Sequence, residues 1–166
     1  MNFTSNNESI FSEIKEHLIT KGFTISAHDI DRPWGGFFVI DESQAQKFVE
    51  CFFPGESLES LEGKKISPKI LIVAPEKRLS WQYHFRRSEL WRVTKGTVGV
   101  VLSEDDEETD LIMLAKGDTM KIKQGQRHRL VGLEDYGIVA EIWKHNDPEN
   151  PSNEEDIVRL QDDFGR

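Results

Sequence analysis

The chain has 166 residues, enough for one domain with a sizeable core and too few for two full ones. Its formal net charge of −9 argues against a nucleic-acid partner, and the single cysteine, Cys51, excludes an intramolecular disulfide. With no long apolar run and no basic, apolar leader, the expectation is one compact cytoplasmic domain over residues 1–166 that has no membrane partner.

Asn7 to Lys21 sets Ile10, Phe11, Ile14 and Leu18 on one face, which predicts an amphipathic helix with an Asn cap and Gly22 as a left-handed stop. Residues 1–31 then form a helical extension packed on the rest. Phe23 to Ile25 and Phe37 to Ile40 read as strands, and between them Arg32-Pro-Trp-Gly35 suits a fixed turn in which Trp34 closes one end of a barrel. Asp41-x-x-Gln44 has the form of a capping box, continued by Ala45, Phe48 and Val49 as a short helix that ends before Pro54-Gly55.

From Lys69 onward the pattern turns to strands: Ile70 to Ala74, Glu89 to Thr94, Val98 to Ser103, Asp110 to Leu114, Thr119 to Lys123, Arg129 to Gly132 and Gly137 to Trp143. Gly96 sits where a tight turn needs positive φ. Asn146 to Asn153 is a polar loop, and Asp156 to Leu160 reads as a terminal helical turn. So many short strands with close turns predict a mainly β fold, an antiparallel barrel or sandwich with flanking helices.

One segment carries the chemistry. Gln82, His84 and Glu89 supply an amide oxygen, an imidazole and a carboxylate within eight positions, and His128 offers a second imidazole from far along the chain. Gln82 and His84 leave the same face of a strand, and Glu89 joins them if a short turn intervenes. A borderline divalent ion accepts such a mixed set. Residues 65–143 are therefore the expected metal-bearing core.

These two blocks, with Gly96, Gly117 and Gly125 around them, resemble the paired motifs of the cupin superfamily, whose fold is a jelly roll. Arg32-Pro-Trp-Gly35, Lys69, the run from Leu79 to Trp91, His128-Arg129, Glu141, Glu155-Asp-Ile-Val-Arg159 and the closing Phe-Gly-Arg166 follow the order found in the isomerase domain of type II phosphomannose isomerases. The glycine-rich signature of that family's guanylyltransferase domain is absent from this sequence. Leu90, Lys123, Gly132 and Trp143 stand where the family usually has histidine, proline, asparagine and glutamine.

The resemblance implies a metal-dependent isomerase that interconverts mannose 6-phosphate and fructose 6-phosphate through an enediolate. Arg87 would stabilise charge on the substrate, Lys69 or Glu141 would move the proton, and Arg159 and Arg166 would bind the phosphate. Cupins usually carry histidine at the position of Gln82; an amide oxygen there favours a redox-silent ion, zinc before cobalt or manganese. A non-catalytic cupin that binds a sugar or sugar nucleotide, or an iron-dependent oxygenase, are the alternative classes. Pairing of cupins through strand edges suggests a homodimer by analogy.

Charge distribution agrees with a small anionic ligand. Residues 64–129 hold fourteen Lys and Arg against nine Asp and Glu, and six of those acids crowd into Glu104 to Asp110, expected to be a hairpin loop away from the site. A locally basic cleft in an acidic protein suits a sugar phosphate and repels long polyanions.

Overall fold

The computed structural model describes residues 3–57, 59 and 65–165. The first helix, α1 (Phe3–Thr20), begins ahead of the expected Asn7, and Gly22 ends it at φ +86° as the Phe23 amide closes on the Leu18 carbonyl. A strand was expected at Phe23 to Ile25, whereas β1 runs Ile25–Arg32. Polar residues on both of its faces hide it from any alternation pattern; it is extended because it pairs as an edge with β2 (Gly35–Ile40).

Asp41 does cap a turn, accepting from the Ser43 amide at 2.9 Å, but the capping box with Gln44 does not form. Gln44 instead accepts from the Thr24 amide and donates to the Gly22 carbonyl, which ties the exit of α1 to the entry of α2 (Ala45–Phe52). The remaining strands are β3 (Ile66–Val73), β4 (Trp81–Tyr83), β5 (Arg87–Lys95), β6 (Thr97–Ser103), β7 (Ile112–Ala115), β8 (Thr119–Ile122), β9 (Arg127–Gly132), β10 (Gly137–His145) and β11 (Val158–Gln161). Gly96, between β5 and β6, takes the expected positive φ at +77°.

Two antiparallel sheets result, of order β1-β2-β3-β10-β5-β8 and β11-β4-β9-β6-β7. The central strands of the larger one are buried on both faces. Ile70, Ile72, Ala140 and Ile142 face the helices, where Phe11, Leu18 and Phe48 cover them, while Leu71, Val73, Val93 and Val139 face the second sheet and its Val98, Val100 and Leu130. This double burial explains the near-continuous apolar runs of β3 and β10. Two departures from the family pattern have local reasons. Leu90 lies in the core under the helices, where a histidine would bury an imidazole among apolar groups, and a Cβ at Gly132 would stand 2.0 Å from the Ala74 carbonyl oxygen.

The helical turn expected over Asp156 to Leu160 is contradicted: Val158 and Arg159 pair with Tyr83 and Gln82, and the backbone continues the smaller sheet as its edge. The sheets thus take in β1, β2 and β11, outside residues 65–143. The acidic stretch 104–110 connects β6 to β7 and folds back on the smaller sheet. Asp106 pairs with Arg127, Glu108 with the fully buried Arg129, and the Asp106 carbonyl accepts from the Trp81 indole. Part of the basic charge counted along residues 64–129 is therefore neutralised locally.

Candidate metal centre

Strand register assembles the site. Across the smaller sheet Arg159, Gln82 and His128 are successive partners on β11, β4 and β9. Across the larger sheet Lys69, Glu141 and Trp91 form one row on β3, β10 and β5, and Ser67, Trp143 and Glu89 form the row two residues on, on the same face. His84 follows β4 directly, and a tight turn brings Arg87 and Glu89 in on β5.

His84, Glu89 and His128 are all buried, and their ligand atoms lie within 4.8 Å of one another. The two Nε2 atoms are 3.2 Å apart, and Glu89 Oε2 is 3.3 Å from His128 Nε2. Each imidazole's other nitrogen is spoken for. His84 Nδ1 is 2.7 Å from the Asp156 carbonyl and His128 Nδ1 is 3.0 Å from the Gln126 carbonyl, so both Nδ1 atoms carry the proton and both Nε2 lone pairs face inward. Burial, with Arg87 and His128 beside it, holds His84 neutral down to a pKa of about 3, against the pull of Glu89. Burial works against the Glu89 carboxylate, but the Arg87 guanidinium beside it outweighs this and keeps it ionised. Glu89 Oε2 has no hydrogen-bond donor among the described residues. Two inward lone pairs and an unmatched carboxylate oxygen are the donor set a divalent cation satisfies.

The fourth expected ligand is present but turned. Gln82 Oε1 accepts from the Ser80 hydroxyl at 2.7 Å, which leaves the amide nitrogen 3.5 Å from His128 Nε2. Rotating the amide by half a turn keeps the Ser80 contact, because that hydroxyl accepts as well as it donates, and aims the oxygen at the cluster.

Arg87 is buried rather than at the surface. Its Nε donates to Glu89 Oε1 at 3.0 Å, its Nη2 is 3.1 Å from His84 Nε2, and its Nη1 reaches Ser152 Oγ and the Asn153 carbonyl. Its guanidinium lies over the Trp143 ring at 3.6 Å. Glu141 is clamped between two indoles, accepting from Trp91 Nε1 at 2.8 Å and Trp143 Nε1 at 2.7 Å. Burial and the nearby Glu89 raise its pKa to about 7, against Lys69, Arg87 and the Trp143 hydrogen bond. Lys69 is 6% exposed and pairs with Glu154 at 2.6 Å.

Lys69, Arg87, Glu89, Glu141, Gln82 and Arg159 line a single cleft that is partly open to solvent. Arg166 lies outside the described residues. By sequence, Arg32 and Trp34 belong to a structural turn. Trp34 is indeed in the core between the sheets, yet both also line this cleft. Two further contributors were missed, Glu154 on Lys69 and Asp156. The Asp156 carboxylate accepts from the amides of Phe85 and Arg86 while its carbonyl holds His84. Arg32 is a cation inside the Arg32-Pro-Trp-Gly35 motif and could have been picked out on that signal; Glu154 carries none, because an acidic residue in an acidic stretch reads as solvated.

Comparison with known proteins agrees with this geometry. The family described as "Mannose-6-phosphate isomerase C-terminal" matches residues 42–162. The alginate biosynthesis protein AlgA of Pseudomonas aeruginosa is 30% identical over 126 residues, covering 75% of this chain and 24% of that protein. The xanthan biosynthesis protein XanB of Xanthomonas campestris is 27% identical over 135 residues, covering 81% and 23%. The chain thus spans about a quarter of the length of these relatives. Among solved structures, oxalate decarboxylase from Bacillus subtilis superposes with a TM-score of 0.56 at 12% identity, covering 81% of this chain and 30% of that one. Tomato vicilin gives 0.55 at 18%, covering 80% and 35%. At such identities these neighbours speak for the fold alone, and the fold is the cupin one. The chain has the cupin fold and belongs to the mannose-6-phosphate isomerase C-terminal family.

Proposed function

We propose that this protein is a metal-dependent aldose–ketose isomerase acting on a sugar phosphate, with mannose 6-phosphate and fructose 6-phosphate as the pair. The observation that carries the reading is the convergence of two inward Nε2 lone pairs and the Glu89 carboxylate in a cleft that also holds Glu141 and Lys69. A divalent ion held there by His84, Glu89, His128 and the turned amide of Gln82, zinc before cobalt or manganese, would supply Lewis-acid stabilisation of negative charge on adjacent sugar oxygens.

The chain's own residues divide the remaining work. Glu141, with a pKa near neutrality, is suited to take a proton from one sugar carbon and return it to the next. Both of its oxygens are fixed by indole donors, so the carboxylate is aimed without rotational freedom. Lys69 lies opposite Glu141 in register and is ion-paired, so it serves as a charge beside the substrate rather than as the base. Arg87 can stabilise developing negative charge through a guanidinium held flat over Trp143. Arg159 faces the cleft mouth and is assigned to the phosphate, as is Arg166 on the family pattern.

A second reading has its own support. Arg87 already donates to Glu89 and lies against His84, so the cluster is neutralised by a side chain, as a sugar-binding cupin without turnover would need. Screening hexose and pentose phosphates for isomerisation with zinc, cobalt or manganese, while following oxygen consumption, separates the classes. Isomerisation that requires the metal supports the enzyme, ligand binding without turnover supports the module, and oxygen uptake supports an oxygenase.

A further inference from the structure

The segment from Asn146 to Ile157, between β10 and β11, is fastened beside the site at several points. Arg86 Nη1 donates to the Pro151 carbonyl, Arg87 Nη1 to Ser152 Oγ, and the Ser152 amide to His145 Nδ1. Asp156 holds the turn at Phe85 and Arg86 through its carboxylate. Between these fastenings Glu154 bends its side chain back into the cleft. Glu154 Oε1 is 2.6 Å from Lys69 Nζ, with 58% of its side chain exposed against 8% for Lys69.

The ammonium has aromatic walls. Lys69 Nζ is 4.3 Å from the Phe37 ring centroid and 4.1 Å from that of Trp143. These faces stabilise the cation but cannot neutralise it, and Glu141 across the sheet has both oxygens held by indoles, so the contact partner of the ammonium comes from the cleft. Arg32 and Arg159 line that same cleft. A carboxylate delivered from a solvent-facing segment onto a buried ammonium in a cation-lined cleft takes the place an incoming anion would take.

We propose that Glu154 is a specificity-determining residue, an internal anion that must leave Lys69 before the ligand's phosphate, which Arg159 of the same cleft also binds, can pair with that ammonium. This rests on the sugar-phosphate reading above for the class of ligand, not for its turnover. Exchange of one carboxylate charge for a phosphate of about −1.5 to −2 at neutral pH favours opening. A neutral sugar offers Lys69 no counter-ion, so opening for it would leave a buried cation unpaired. The fastenings involve the backbone, Ser152 and Asp156, so Glu154 can swing away by side-chain rotation with the segment still in place.

The test is calorimetric titration of inorganic phosphate, and separately of unphosphorylated mannose, into the full chain and into Glu154→Gln, Lys69→Met and the double variant. Glutamine keeps the size and removes the charge, and melting curves report whether each variant is folded. Glu154→Gln is expected to bind phosphate about tenfold more tightly, a gain of about 1.4 kcal/mol, with mannose affinity unchanged and the gain absent from the double variant. Equal or weaker phosphate binding by folded Glu154→Gln, or a gain that survives without Lys69, overturns the proposal, as does the absence of phosphate binding in every variant. Because binding is read rather than turnover, the two readings fail separately. Tighter phosphate binding without isomerisation sinks only the isomerase, and isomerisation with phosphate affinity unmoved in Glu154→Gln sinks only the gate.

Discussion

Acidification tests the neutral state of His84. In the unfolded chain its imidazole takes up a proton as the pH falls below 6.5, whereas in the folded protein burial delays this to a pKa of about 3. A folded pKa below the unfolded one means that the contribution of His84 to stability is complete above pH 6.5 and is lost as the pH falls toward 3. Protonation would also replace the contact between His84 Nε2 and the Arg87 guanidinium with two facing cations. Each pH unit within the window costs up to about 1.4 kcal/mol, so a drop from about pH 6.5 to about 4.5 removes roughly 2 kcal/mol. Glu141 and His145 also titrate across this interval, Glu141 in the opposite sense, and Glu89 begins to contribute at its lower end, so the His84 share is read from the difference between the parent and a variant without the imidazole. Urea denaturation in the presence of a chelator, carried out at both pH values, measures the loss. His84→Gln should lose roughly 2 kcal/mol less than the parent over the same interval, since the titrating group is gone. Parallel pH dependence in the two proteins would refute the assignment of a buried, neutral His84.

The purified protein is expected to contain about one divalent ion per chain by elemental analysis, and alanine at His84 or at His128 should remove it; full occupancy in both variants would sink the site. Removing either member of the buried Arg87–Glu89 pair, as Arg87→Met or Glu89→Met, should cost about 3–5 kcal/mol in chemical denaturation, and the double variant should lose much less than the sum. Simple additivity would show that the two charges are not coupled. Leu90→His should destabilise by about 2–5 kcal/mol, because it places an imidazole among apolar side chains under the helices; an unchanged melting temperature would mean that this face is wet. If the protein isomerises sugar phosphates, activity should rise with pH through about 7 as Glu141 ionises, and Glu141→Gln should abolish that rise together with most of the turnover. An unaltered profile would assign Glu141 to structure.

Residue types and spacings made much of this legible. Strand patterns with glycine turns pointed to an antiparallel barrel, and of the four expected metal ligands His84, Glu89 and His128 meet in its interior with Gln82 beside them. Both signals are local, set by the period of the strand and by the donors a cation needs. Signals failed where pairing, not side-chain pattern, decides the conformation. The polar edge strand β1 and the closing strand β11 are extended because a neighbouring strand is there to pair with them.

Sequence alone therefore determined the mainly antiparallel β architecture and which side chains can act as donors, since alternation and ligand chemistry are written residue by residue. Which cations, carboxylates and indoles meet those donors was decided by the tertiary structure. Register sets Lys69 against Glu141 and Trp91, and the segment after β10 brings Glu154 to Lys69 across 85 positions of chain. Contacts of that range depend on how separate strands align and how the intervening segment is fastened, and no periodicity within either stretch encodes them.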